Sequence, residues 1–126
     1  MRFGFLRLAL LVSLTCAIPA FAHHSFASQY DADAPVELSG VVTKVEWLNP
    51  HARFYIDVED TAGNVINWNL ELASPNVLSR NGWSRKSLQA GDRVMVEGSL
   101  ARDGSKMANA RTVMLADGTR VFARER

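Results

Sequence analysis

The chain has 126 residues, 14 of them basic and 13 acidic for a formal net charge of +1, and a single cysteine. That length holds one domain rather than two. The near-balance of charge leaves no overall field to gather polyanions, and one cysteine excludes an internal disulfide framework.

The N-terminus begins MRFGFLR, continues as the apolar run LALLVSLTCAIPA and reaches Ala20-Phe21-Ala22. A basic start, a short apolar run and a small-x-small signal describe a secretory signal peptide over residues 1–22. The run is shorter than the roughly 20 apolar residues that a spanning helix needs. The expected mature protein is therefore periplasmic or secreted, with no membrane span after cleavage. A lipoprotein anchored through Cys16 is the weaker alternative, because Thr15 occupies a position where a smaller residue is usual. Cleavage removes Arg2, Arg7 and Cys16, so 12 basic residues then face 13 acidic ones.

Residues 23–34, HHSFASQYDADA, alternate little and end in turn formers, which reads as an N-terminal arm before a domain over residues 35–126. Phe26 and Tyr30 are four apart and are candidates to dock that arm. Val36 to Asp60 reads as two strands joined by a Trp-Leu-Asn-Pro-His corner. Val36 and Leu38 share one parity and Val41, Val45 and Trp47 the other, so the phase slips near Gly40, as a glycine bulge would make it do. After the corner, Ala52, Phe54, Ile56 and Val58 alternate with His51, Arg53, Tyr55 and Asp57, the period of a strand buried on one face.

Thr61 to Asn64 reads as a hairpin turn into a third strand, with Ile66, Trp68, Leu70 and Leu72 inward. A register centred on Ala62 sets Tyr55 opposite Asn69 and Arg53 opposite Glu71, with His51 one step along the same face. This face is expected to be a solvated polar ladder, its ion pair contributing roughly 0 to 1 kcal/mol. Ser74, Pro75 and Gly82 punctuate a short helix, with Leu78 and Trp83 as the pair that packs at its stop. Arg93–Ala101 and Met107–Leu115 complete five strands, joined at Asp103-Gly104, and Arg120–Ala123 is a short last segment. This order predicts an all-β domain with one short helix, a five-stranded OB-like Greek-key barrel. Another small β-barrel or sandwich is the alternative.

Candidate chemistry centres on the histidines. Cleavage after Ala22 makes His23 the first residue, so its amine and ring can chelate one ion together. His51 on the Asn49-Pro50-His51 corner, or His24, can add a further nitrogen. Nitrogen donors without thiolate suit copper and accept zinc. The metal candidates are thus His23, His24 and His51, with copper the expected ion. The alternative is a metal-free module that binds a small ligand or a periplasmic protein partner through Trp47, Asn49, Arg53, Tyr55, Asn69 and Glu71. No Gly-x-Ser-x-Gly or His-Glu-x-x-His motif occurs, and no constellation of catalytic residues is apparent. Nucleic acid is expected to be excluded, given the mature net charge of −1 and the exported compartment.

His23-His24-Ser25-Phe26, Tyr30-Asp31, Gly40-Val41-Val42, Asn49-Pro50-His51, Trp68 through Glu71, Ser74-Pro75, Gly82-Trp83, Gly91-Asp92 and Arg102-Asp103-Gly104-Ser105 together resemble a group of small exported bacterial proteins sharing a domain of unknown function. The resemblance spans nearly the whole mature chain. It implies export and a single small β domain, and supplies no activity and no catalytic residue.

Overall fold

In the computed structural model, residues 26–123 are described, with the side chain of Ala123 excepted. The signal-type segment, His23 and His24 lie outside them. The elements in order are α1 (Phe26–Gln29), β1 (Tyr30–Glu46), β2 (Arg53–Glu59), β3 (Val65–Glu71), α2 (Pro75–Arg80), β4 (Arg93–Ala101), β5 (Met107–Leu115) and β6 (Arg120–Ala123). The expected count of five strands is corrected to six, because the last segment pairs with β5 from Thr112↔Ala123 to Met114↔Arg120. β1 also takes in residues 30–34 of the stretch assigned to the arm.

The strands form one sheet in the order β3-β2-β1-β4-β5-β6. It curls until β3 meets β5 in parallel through Asn69↔Met107, Leu70↔Ala108 and Glu71↔Asn109. The other strand pairs are antiparallel. The result is an all-β, OB-like domain whose closing seam is short, and Arg53, Glu71 and Asn109 gather at that seam.

Alternation decides which faces are buried. Phe54, Ile56 and Leu70 are fully buried, as are Leu72, Leu78, Val96 and Val113 to within 1%. Burying each such side chain contributes roughly 1.5–3 kcal/mol. The register between β2 and β3 is the expected one, Arg53↔Glu71 and Tyr55↔Asn69.

The helix also forms as its punctuation predicts. The Ser74 hydroxyl accepts from the Val77 N–H at 3.3 Å, and Trp83 N–H donates to the Leu78 carbonyl at 3.0 Å across Gly82 at φ 85°. Leu78 and Trp83 are both buried.

Gly40 is not where the bulge lies. The irregularity between β1 and β2 falls between Val42 and Lys44, leaving Thr43 as the extra residue. Gly40 instead lets two strands approach closely, because a Cβ there would collide with the Asp57 carbonyl oxygen. A missing side chain and an inserted residue both shift the apparent phase, so the sequence alone does not separate them. Gly98 plays the same part against the Asn109 carbonyl, beside the irregularity between β4 and β5. Gly98→Ala is expected to destabilise the domain by about 1–3 kcal/mol through backbone displacement. A urea midpoint equal to that of the parent would reject this close-approach role.

Candidate functional site

β2 begins its polar face at Arg53, next to the corner that carries His51, and β3 brings Glu71 directly opposite. The seam with β5 adds Asn109, and β1 begins with Tyr30, whose hydroxyl reaches the same place. Glu71 is the hub. One carboxylate oxygen accepts from Arg53 at 2.5 Å and from the Tyr30 hydroxyl at 3.0 Å. The other accepts from the Asn109 amide at 3.3 Å and lies 3.4 Å from His51 Nδ1. Arg53 also donates to the Asn69 side-chain oxygen Oδ1 at 3.2 Å.

Glu71 is only 5% exposed. The expectation of a solvated surface ladder is therefore corrected. Tyr30 from β1 and Asn109 from β5 cover the carboxylate, so Glu71 is a buried, multiply hydrogen-bonded acid paired with a half-buried Arg53. Burial first, then the adjacent Glu71 carboxylate, push the Tyr30 phenol up to about 12. The neutral phenol is the form that the fold stabilises. Stability from it is intact below pH 10, the unfolded value, and falls as pH rises from 10 towards 12. We expect Tyr30→Phe to remove this part of the alkaline loss of stability; an unchanged alkaline slope in denaturant unfolding would reject it.

The structure brings together His51, Arg53, Asn69 and Glu71 of the predicted residues. It does not join the others to them. Tyr55 donates to Glu46 at 3.1 Å and lies under the Lys44 ammonium, 5.5 Å from its ring centroid, with Lys44 paired to Glu46. Trp47 packs partly buried against the core, and Asn49 is exposed at the corner, where the Asn49–Pro50 bond is cis. His23 and His24, the other metal candidates, are outside the described residues. Among the described residues no group of three His, Cys, Asp or Glu side chains is arranged to hold a metal ion.

Tyr30 and Asn109 are the members that sequence reasoning missed as site residues. Tyr30 was legible only as a possible docking aromatic, and its ring does sit 5.7 Å from that of Phe26. Nothing local marks Asn109, because its place depends on the parallel seam. A groove of about 710 Å³ lies elsewhere, lined by residues that include Gly40, Asp57, Val65, Met95 and Leu115, and none of the predicted site residues lines it.

Comparison with known proteins adds family and fold. A family of unknown function, DUF6152, matches residues 10–110. No curated protein matches the chain. Two crystal forms of the mitochondrial single-stranded DNA binding protein of S. cerevisiae are similar in structure. One has a TM-score of 0.52 at 12% identity, covering 66% of this chain and 93% of that one. The other has a TM-score of 0.50 at 11% identity, covering 74% and 98%.

These neighbours overturn the expectation that nucleic acid is excluded, since single-stranded DNA-binding proteins share this fold. That exclusion rested on the mature net charge and the exported compartment, and a net charge does not report local runs: residues 72–91 hold Arg80, Arg85 and Lys86 and no acid. At such identities the likeness establishes the fold alone.

Proposed function

The chain belongs to the family of unknown function DUF6152, and from its own geometry we propose that it is a small exported, periplasmic binding domain holding a copper-like ion at the His51 corner. The observation that carries the reading is the placement of His51. Its Nδ1 faces buried Glu71 at 3.4 Å while its side chain is 43% exposed. Metal-binding histidines are commonly held in this way, one ring nitrogen turned to a carboxylate so that the other is presented to the ion. Glu71 is already engaged by Arg53, Tyr30 and Asn109, which suits an orienting role better than a ligand role.

The remaining nitrogens would come from His23, through its amine and ring, and from His24. Only His24 and Ser25 separate His23 from Phe26, and three residues span at most about 10 Å. Tyr30, the first residue after α1, already touches Glu71. Copper rather than zinc is favoured by an all-nitrogen donor set.

The test is a Cu(II) and Zn(II) titration of protein beginning at His23, beside protein with one extra N-terminal residue. Tight one-to-one Cu(II) binding that the extra residue weakens supports the reading. Equal, weak binding by both rejects it and favours the second reading, a metal-free module that takes a polar ligand or protein partner on the face of β2 and β3. The two hydrogen-bonded cross-strand pairs on that face, Arg53 with Asn69 and Asn67 with Asp57, favour that alternative. A single-stranded oligonucleotide belongs in the same series, because the structural neighbours are proteins that bind single-stranded DNA.

A further inference from the structure

A second surface, away from the Glu71 hub, carries an unbalanced charge. Between Leu72 and Gly91 the chain holds Arg80, Arg85 and Lys86 and no acidic residue. All three cations are exposed, and none has an ion-pair partner among the described residues. The helix stop turns the chain at Gly82 and buries Trp83, whose ring meets Phe122 of β6 edge-on at 5.8 Å. That contact seats the loop bearing Arg85 and Lys86 beside the strand that begins with exposed Arg120. The acids next in sequence, Asp92 and Asp117, each accept a backbone N–H, from Gln89 and Thr119 at 2.8 Å, and set two carboxylates against the four cations Arg80, Arg85, Lys86 and Arg120.

Within this patch α2 exposes an apolar side chain, Val77, at 38%. Trp83 and Phe122 are buried against each other, so the patch offers no exposed aromatic on which a base would stack. Base stacking on aromatics is what supplies affinity for single-stranded nucleic acid beyond charge. Exposed cations on the same helix and following loop as an exposed aliphatic residue fit a different anionic partner, the headgroup layer of a membrane, where basic side chains are attracted and apolar ones enter the interface.

We infer that α2, the loop that follows it and the start of β6 form a docking surface for an anionic phospholipid bilayer. The contact is peripheral. Among the described residues no helix is long and apolar enough to cross a membrane.

The experiment is co-sedimentation of the full chain with phosphatidylcholine vesicles and with vesicles in which half the lipid is phosphatidylglycerol. The same assay is run on Arg85→Gln/Lys86→Gln prepared identically, so that the N-terminal apolar segment contributes equally to both. The parent is expected to partition preferentially to the anionic vesicles, and molar salt should abolish that preference. The double variant should lose roughly tenfold to thirtyfold in partitioning to the anionic vesicles, as two cations near an anionic leaflet imply, and none to phosphatidylcholine.

Both positions are exposed, so the variant should keep the parent's circular dichroism and urea midpoint. Equal partitioning of parent and variant would overturn the proposal. So would binding of a single-stranded oligonucleotide, lost in the variant, with no preference for anionic vesicles. Salt-sensitive self-association in place of vesicle binding would overturn it in favour of contact between copies of the chain.

Discussion

Glu71→Ala is expected to cost about 3–5 kcal/mol of stability, the range found when one partner of a buried pair is removed. The change takes away the acceptor used by Arg53, Tyr30 and Asn109 at once. Arg53 is 29% exposed at its side chain and can recover some hydration, which places the cost toward the lower end. Tyr30, 1% exposed, and Asn109, 6% exposed, cannot. Leaving a buried donor unsatisfied costs roughly 1–3 kcal/mol by itself.

Arg53→Leu combined with Glu71→Leu should be much less damaging than the sum of the single changes, because removing both charges leaves no buried ion alone. Urea unfolding of the two singles and the double measures the coupling directly. A loss below about 1 kcal/mol for Glu71→Ala would restore the picture of a solvated surface pair. It would also remove the rigid support on which the His51 reading depends.

The difference between those two pictures shows what the sequence carries. Register between β2 and β3 was legible because the turn around Ala62 and the alternation of Phe54, Ile56, Trp68 and Leu70 are local. They place Arg53 opposite Glu71 without any knowledge of the rest of the fold. Burial of the Glu71 carboxylate was not legible. It requires Tyr30, 41 residues away, and Asn109, 38 residues away, to arrive over the carboxylate.

A parallel seam of three residue pairs produces that arrival, and it has no signature in periodicity. Gly40 was misread for a related reason: its missing side chain answers to the Asp57 carbonyl on another strand, a contact of the fold rather than of the local chain. The helix over Pro75–Arg80 was legible in full, since its cap, first-turn proline and stop are all set by neighbours in sequence. Charge was the converse case. A net sum does not show the run of Arg80, Arg85 and Lys86 without an acid between Leu72 and Gly91, and that run was in the sequence from the start.

His51→Ala is expected to weaken Cu(II) binding to protein beginning at His23 by at least about a hundredfold, with little loss of stability. The affinity effect corresponds to about 2.7 kcal/mol, within what one lost nitrogen ligand removes. The small stability effect follows from the side chain's 43% exposure and its single close polar contact. Glu71→Gln is the complementary variant. It keeps an oxygen for Arg53 and places an amide near His51, so it changes how the ring is held without deleting the hub.

Loss of such an orienting partner typically costs 10–100-fold in metal affinity. The expected order of Cu(II) affinity is therefore parent, then Glu71→Gln, then His51→Ala. This order separates the two roles assigned to the corner. If His51→Ala binds as tightly as the parent, the ion is held by His23 and His24 alone, and the buried Glu71 hub serves the fold. If Glu71→Gln falls as far as His51→Ala while its urea midpoint holds, Glu71 is itself a ligand. Its bonds to Arg53, Tyr30 and Asn109 would then have to loosen when the ion arrives.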